Sequence, residues 1–245
     1  MRRFPVIVGA VTCIFATTAG ALAASPGVSG AAGNAQAMYK AALAYAATQN
    51  VHYVSTATQG TAVLRVVGDT SPTAGTQSLT VKSSTTTETL TVALIGKTGY
   101  VRGNAAGLAH ILGLTTAEAT TYTNKWLSFP TGNQTLDALV NGLRNKDVAA
   151  ELKMSGPFSF GPAKAIGGQA AQAVEGFISD STGKKVATTL YVQTGGTPRP
   201  LQEVTNSTQG TTGVDGSVTF SNWGQQTQVS KPSHAVSLLS LAPAG

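Results

Sequence analysis

The stretch VALIGKTGYV, residues 92–101, decides between a nucleotide-binding site and a β-hairpin. Its GKT triplet at 96–98 ends a P-loop, a phosphate-binding loop that also needs a glycine five positions before Gly96 and a helix after it. Thr91 stands where that glycine belongs, and the short, glycine-bounded segment 99–103 follows instead of a helix. Polar and apolar residues alternate over 89–94, and the glycines at 96 and 99 favour a turn. The stretch therefore predicts a β-hairpin.

Runs of β-forming residues extend from this hairpin in both directions along the chain. In the run before it, Leu79 and Val81 share one face with Gln77, while polar side chains occupy the other face. Such alternation is typical of an antiparallel sheet with one buried and one solvated face. The predicted strands are 51–58, 62–68, 76–83, 87–95, 100–102, 125–129, 171–179, 185–193, 201–207 and 217–223.

Four helices are predicted around these strands. Asn34 can cap a helix that runs to about Gln49, and two short helices cover 104–112 and 115–122. Asn133 can cap a fourth helix. Its apolar stripe consists of Leu136, Leu139, Val140 and Leu143. The predicted fold class is α+β: a long antiparallel sheet with a helix before it and a helical insertion that can cover its apolar face.

The composition leaves two interpretations of the interior open. Only 6% of the residues are aromatic, while Ala, Gly, Val and Thr are plentiful. Small side chains can pack the sheet tightly against the helices. Alternatively, the two layers leave an apolar cavity between them, as ligand sites typically do.

The first residues predict a secretory signal. Arg2 and Arg3 precede an apolar run over 4–19 and an A-x-A cleavage pattern that ends at Ala23. We therefore expect export of a soluble chain with the signal over residues 1–23, a flexible lead-in over 24–33, a single domain over 34–233 and a C-terminal tail over 234–245.

The cysteine content and the net charge exclude further classes of protein. Cys13, the only cysteine, lies inside the signal, so the mature chain would carry neither a disulfide nor a free thiol. Thr12 departs from the small-residue box that precedes a lipidated cysteine, and a lipid anchor at Cys13 is not expected. Loss of Arg2 and Arg3 lowers the formal net charge from +6 to +4. The remaining basic residues are scattered, which argues against nucleic-acid binding.

The sequence offers little for catalysis. His52, His110 and His234 form no H-E-x-x-H pair, and no G-x-S-x-G nucleophile motif is present. His52 and His110 are interpreted as surface or packing residues. We expect no enzyme activity, no metal and no cofactor. Carboxylates that are distant in sequence can still meet in space, so a glycosidase is not ruled out.

Several segments resemble the LppX/LprG-type lipoproteins of actinobacteria, which share the LolA/LolB-like fold. The resembling segments follow the expected order over most of the mature chain: GYVRG at 99–103, the helix 108–114, KWLS at 125–128, GGQ at 167–169, LYV at 190–192, Pro198, PL at 200–201, VTFSNWG at 218–224 and Pro232. The lipobox cysteine typical of the family is not convincing in this chain, which puts membrane tethering in doubt.

The resemblance implies a curved, half-open antiparallel β-barrel with helices across its concave face and a hydrophobic cavity between them. It also implies a ligand, an acylated lipid or glycolipid, which the protein would bind and transfer in the cell envelope without chemistry, in contact with a membrane surface. The alternative is a lipid-free sensory or structural envelope protein that binds a partner protein. Neither the lipid nor a protein partner follows from the residues.

The expected cavity would have a sheet wall and a helical lid. A dozen buried methylenes contribute about 10 kcal/mol at about 0.8 kcal/mol each, against an association cost of about 4–15 kcal/mol, so an acyl chain must be almost fully buried. The predicted sheet wall is Leu79, Val81, Leu90, Val92, Leu94, Leu190 and Val192, and the predicted lid is Leu108, Ile111, Leu112, Leu136 and Leu139.

Overall fold

The computed structural model describes residues 29–132, 134–179, 185–205 and 214–241. The predicted signal segment and Cys13 lie outside these residues. Within them, no helix combines the length and the hydropathy that crossing a membrane would require.

Thirteen strands of the described chain form a single open, curved sheet. Its order is β13-β6-β5-β4-β3-β2-β1-β12-β11-β10-β9-β7, and β8 pairs with β9. All pairings are antiparallel except the short parallel contact between β13 and β6. The strands are β1 His52–Gln59, β2 Ala62–Thr70, β3 Ala74–Lys82, β4 Thr87–Ile95, β5 Thr98–Gly103, β6 Leu127–Pro130, β7 Ser155–Phe160, β8 Lys164–Ile166, β9 Gln169–Ser179, β10 Lys185–Gln193, β11 Pro200–Thr205, β12 Val214–Ser221 and β13 Val236–Ser237.

The opening stretch forms the predicted hairpin. Strands β4 and β5 pair in register, with Ile95 opposite Thr98 and Leu94 opposite Gly99. Gly96 in the turn has a φ of +60°, a conformation that residues with a side chain rarely adopt. The P-loop interpretation is therefore excluded by the backbone itself.

One face of the sheet is covered, and we call it the inner face. Gln77 and Leu79 are buried there, while Ser78 between them is exposed, as the alternation predicts. Helix α1, Ser29–Thr48, packs over β7, β9, β10 and β11, and helix α2, Ala105–His110, packs over β4 and β5. Helix α3, Thr116–Thr121, begins with the Thr115–Glu118 capping box that the sequence contains.

The predicted cap Asn133 lies outside the described residues, and the prediction of one continuous helix after it is wrong. The segment consists of α4 Gln134–Asp137, a 3₁₀ turn Ala138–Val140 and, after a break, helix α5 Asn145–Glu151. The break falls at Gly142, whose φ of +81° lies outside the helical region. Leu139, Val140 and Leu143 are still buried, because the turn presents them to the sheet as the stripe required.

Other boundaries also differ from the expectation. Strands β7 and β8 were not predicted; β7 contains Gly156 and Pro157, which are tolerated because it lies at the end of the sheet. Helix α1 begins at Ser29, within the expected lead-in. Part of the expected C-terminal tail belongs to the sheet, since β13 pairs with β6 and Leu238 of the following 3₁₀ turn, Leu238–Ser240, is buried.

Candidate functional site

A cavity of about 100 Å³ lies between the inner face of the sheet and residues 138–152. The sheet contributes its central strands β1, β2, β3, β11 and β12, and the opposite wall consists of the 3₁₀ turn and α5. The cavity is lined by Tyr53, Ser55, Val66, Gln77, Ala138, Asn141, Gly142, Val148, Glu151, Leu152, Glu203, Val218 and Phe220.

The strand register brings together side chains that are far apart in the sequence. Glu203 of β11 lies opposite Val218 of β12, which in turn lies opposite Ser55 of β1. Ser55 pairs with Val66 of β2, so four inner-face residues form one row across four strands. Leu190 of β10 continues the row on the far side of Glu203. A carboxyl group thus lies between aliphatic neighbours on both sides.

Tyr53 connects the sheet with the opposite wall of the cavity. Its ring lies across Gly68 of β2, where a Cβ atom would collide with it. The side chain thereby reaches Gln77 of β3. The Tyr53 hydroxyl donates to Gln77 Oε1 at 2.8 Å, and Gln77 Nε2 donates to the Leu139 carbonyl at 2.9 Å. Burial raises the pKa of Tyr53, so its phenol stays protonated. This chain of hydrogen bonds holds the 3₁₀ turn over the sheet.

Glu203 is the least expected group of the cavity. Only 3% of its surface is exposed, and its Oε1 atom has no hydrogen-bond partner among the described residues. Burial, reinforced by the negative charge of Glu151, raises the pKa of Glu203 to about 8. The carboxyl group is therefore protonated at neutral pH. An unsatisfied polar atom in an apolar wall costs about 1–3 kcal/mol, and this cost is removed when a ligand supplies the missing bond.

Glu151 marks the solvent side of the cavity. It ends α5, and its side chain is exposed, as is that of Asn141. Crowding by neighbouring groups still desolvates the Glu151 carboxyl and, together with the charge of Asp147, raises its pKa. The cavity thus has one carboxyl group at its rim and one in its interior.

Tyr39 of α1 fixes the end of α5 beside the cavity. Its hydroxyl donates to the Leu152 carbonyl at 3.2 Å and accepts from the Met154 amide at 2.6 Å. Its ring stacks on Phe158 with 4.8 Å between the ring centres. Burial raises the pKa of Tyr39, and the nearby Glu203 acts in the same direction. The α1–α5 layer is therefore anchored next to the rim.

None of the twelve residues predicted to line a lipid cavity is among the residues that line this cavity. Ten of them are buried in the hydrophobic core: Leu79, Leu90, Val92, Leu94, Leu108, Ile111, Leu112, Leu139, Leu190 and Val192. Val81 and Leu136 are partly buried against that core. Large aliphatic side chains fill the space between the two layers wherever they face each other. Contact of these residues with a lipid stays a prediction.

The residues that do line the cavity were missed, although a signal for them existed. Glu203 shares the inner face of β11 with Leu201 and Thr205, and all three residues are buried. Gln77 shares its face with Leu79 in the same way. A polar residue at an inward position of a predicted strand is a candidate site residue, because an unpaired buried polar group is costly.

Two histidine–carboxylate pairs form outside the cavity. His52 Nδ1 lies 2.9 Å from Asp69 Oδ1, and His110 Nδ1 lies 2.7 Å from Glu88 Oε1. Within the described residues, no three histidine, cysteine or acidic side chains converge in a way that could hold a metal ion. The expectation that the chain is not an enzyme stays a prediction.

Comparison with known proteins bears on the fold. Neither a protein-family model nor a curated protein matches the chain. The crystal structure of LprF from Mycobacterium bovis matches with a TM-score of 0.57 at 15% identity, over 82% of this chain and 97% of that one. An uncharacterized conserved protein from Thermus thermophilus matches with a TM-score of 0.44 at 10% identity, over 84% of this chain and 98% of that one. A LolA superfamily protein from Nitrosomonas europaea matches with a TM-score of 0.35 at 10% identity, over 80% and 94%.

TM-scores below 0.5 do not establish a shared fold, so the likeness to LprF is the informative one. At 15% identity it concerns the fold alone. The expected resemblance is confirmed at that level: the chain shares with LprF a fold built on one open, curved sheet.

Proposed function

We propose that the protein binds an acylated lipid or glycolipid outside the cytoplasm and transfers it without chemistry, in the half-open barrel that the family resemblance implies. The observation that carries this proposal is the cavity between the sheet and residues 138–152, with its mainly aliphatic and aromatic walls. Such a concave, mainly apolar space with a few polar groups is the usual form of a small-molecule site. The predicted export signal and the likeness of the fold to LprF support the same conclusion.

The size of the cavity limits what it can hold as it stands. An engineered apolar cavity of about 150 Å³ holds one benzene molecule, so about 100 Å³ accommodates on the order of four heavy atoms. A dozen methylenes therefore require more room. We propose that the 3₁₀ turn Ala138–Val140 moves away from the sheet when the acyl chain enters.

The contacts of the turn make it the part of the lid best able to move. In the described structure, its hydrogen bond to the sheet is the one from Gln77 Nε2 to the Leu139 carbonyl. Gly142, with a φ of +81°, follows the turn two residues after Val140. Movement of the turn breaks this bond, at about 0.5–1.5 kcal/mol, and exposes the buried Leu139 and Val140, and the burial of the acyl chain has to offset both costs. Partly buried Leu64 and Val81 offer further apolar inner-face surface beyond the lining residues.

Native mass spectrometry of the mature protein purified from the envelope of its host, with organic extraction of the bound material, tests the proposal. We expect a stoichiometric acylated species that survives gel filtration. Val218→Phe fills the cavity from its sheet wall and is expected to lower the bound lipid at least tenfold. Val63→Phe makes the same change at an exposed position of β2 and should leave the lipid content unchanged.

The outcomes separate the proposal from its alternative. Equal lipid content in Val218→Phe and Val63→Phe, with both variants shown by circular dichroism to be folded, would remove the cavity from the binding site. A protein that stays free of lipid after incubation with total host lipid would favour a lipid-free role with a protein partner.

A glycosidase is the second candidate, because Glu151 and Glu203 meet at one cavity and both have raised pKa values. The character of the walls argues against it, since they are mainly aliphatic and aromatic and offer the hydroxyl groups of a sugar few hydrogen-bond partners. Hydrolysis of aryl glycosides that is lost in Glu203→Gln would establish this activity instead.

A further inference from the structure

The cavity is polar at one point of its interior, and this point bears on which part of a ligand it receives. Glu203 lines the cavity with 3% of its surface exposed, and its buried Oε1 atom has no partner among the described residues. An acyl chain placed against it would leave that atom unsatisfied. A hydroxyl group or an ester would satisfy it, because a carboxyl group donates to an ester carbonyl and accepts from a hydroxyl.

The charges around the cavity exclude a different kind of head group. None of the described lining residues is a lysine, an arginine or a histidine, whereas two are glutamates. A phosphate or carboxylate head would be buried next to Glu151 and Glu203 without a cation to pair with it. Burial of an unpaired charge is among the most costly changes in a protein.

We infer that the cavity binds the uncharged, hydroxyl- or ester-bearing head region of the acylated ligand, and that Glu203 and Glu151 select such heads over anionic ones. This inference rests on the proposed lipid binding and specifies its substrate class. About four heavy atoms of the head fit the cavity as it stands, and the acyl chains take the additional room that opens when the 3₁₀ turn Ala138–Val140 moves away from the sheet.

The protonation of Glu203 supplies a signature of this arrangement. Glu151 on α5 and Tyr39 on α1 interact electrostatically with Glu203, Tyr53 on β1 lines the same cavity, and Asp147 on α5 acts on Glu151. The described structure pairs none of them with Glu203 by a hydrogen bond. A head group that covers Glu203 removes it further from water and so favours its protonated form. Binding therefore weakens as the pH rises through the pKa of about 8.

The test uses two lipids with the same chains. The full mature chain is incubated with vesicles that contain either dioleoylglycerol or dioleoyl phosphatidic acid, and the lipid retained after gel filtration is measured at pH 6 and pH 9. We expect at least a tenfold preference for dioleoylglycerol at pH 6. Since about one tenth of Glu203 is protonated at pH 9, the apparent affinity of the wild type should fall about tenfold between the two pH values.

Three variants show which carboxyl group causes the pH dependence and which one causes the preference for an uncharged head. Glu203→Gln cannot ionise and should give the same affinity at both pH values, whereas Glu175→Gln, at an exposed position of β9, should keep the wild-type pH dependence. Glu151→Gln removes the rim charge at an exposed position and should reduce the preference over phosphatidic acid.

The outcomes keep this inference separate from the proposed function. Retention of both lipids with equal affinity, or a pH dependence that persists in Glu203→Gln, would overturn the inference and leave lipid binding in place. Stronger retention of dioleoyl trimethylammonium propane than of dioleoylglycerol would show a cation site instead. Retention of no lipid at either pH would overturn the proposed function itself.

Discussion

Two halves of the inner face differ in how the space above them is filled. Above β4 and β5, the side chains of Leu90, Val92 and Leu108 belong to one core and are at most 2% exposed. Above β1, β11 and β12, polar or small residues such as Ser55 and Glu203 interrupt the aliphatic and aromatic walls, and a cavity remains. The first half, which we call the packed half, is built for stability. The second, the cavity half, gives up contacts and hydrogen bonds that a core would make, as functional sites commonly do.

The largest expected effect concerns the ionisation of Glu203 in the cavity half. Its pKa is about 8 in the folded protein and about 4.5 for an ordinary glutamate. The folded state therefore holds this proton more tightly than the unfolded state, and the stability it contributes is complete below pH 4.5 and lost as the pH rises to about 8. Each pH unit in this window corresponds to about 1.4 kcal/mol.

Urea unfolding of the wild type and of Glu203→Gln between pH 4.5 and pH 8.5 measures this effect. The wild type should lose several kcal/mol relative to the variant over this range. The raised pKa of Glu151 acts on both proteins and cancels in the difference. Parallel stability curves would show that Glu203 ionises freely, and the contrast between the two halves would then lose its main electrostatic support.

The second effect compares the same substitution in the two halves. Leu90→Ala in the packed half removes a side chain that is 2% exposed and should cost about 3 kcal/mol of unfolding free energy. Leu64→Ala affects a partly buried inner-face residue beside the cavity half and should cost less than about 1.5 kcal/mol. Thermal and urea unfolding of both variants check this. Equal losses would mean that the surroundings of Leu64 are as tightly packed as those of Leu90.

The same difference explains how far the sequence could predict the structure. Alternation and turn residues predicted the sheet, since period-two patterns arise from the strand geometry itself. The pattern also identified the inner face correctly at Leu79, Leu90 and Leu190. It could not show whether the residues of that face meet partners, because this depends on which strands become neighbours. The row from Glu203 to Val66 joins β11, β12, β1 and β2, and no local pattern contains that pairing.

The segment 136–143 shows a second limit of prediction from the sequence. The apolar stripe over 136–143 has helical spacing, and a helix was the reasonable prediction. The chain instead breaks at Gly142, next to the Tyr53 hydroxyl, where a Cβ atom would lie 3.4 Å from it. A Cβ atom at that distance would be in ordinary contact, so the break reflects the backbone of Gly142, whose φ of +81° no helix contains. It places a 3₁₀ turn over the cavity instead of a rigid helix.

The smallest expected effect tests why the packed half is closed. Asn104 Oδ1 accepts from the Gly107 amide at 2.8 Å and from the Thr89 amide at 3.1 Å, and its Nδ2 donates to the Thr87 carbonyl at 2.8 Å. One side chain thus caps α2 and ties it to β4. Asn104→Ala should cost about 1–2 kcal/mol of unfolding free energy, and Asn104→Asp, which keeps the cap but loses the donor, should cost less.

The 3₁₀ turn over the cavity is held less firmly than α2, since its hydrogen bond to the sheet in the described structure is the one from the Gln77 side-chain amide. Hydrogen exchange of the two segments distinguishes them: in the wild type, the amides of residues 138–142 should exchange faster than those of α2, and Asn104→Ala should narrow the difference. If the amides of α2 exchange faster than those of residues 138–142 in the wild type, the packed half is the movable one and the cavity half the rigid one.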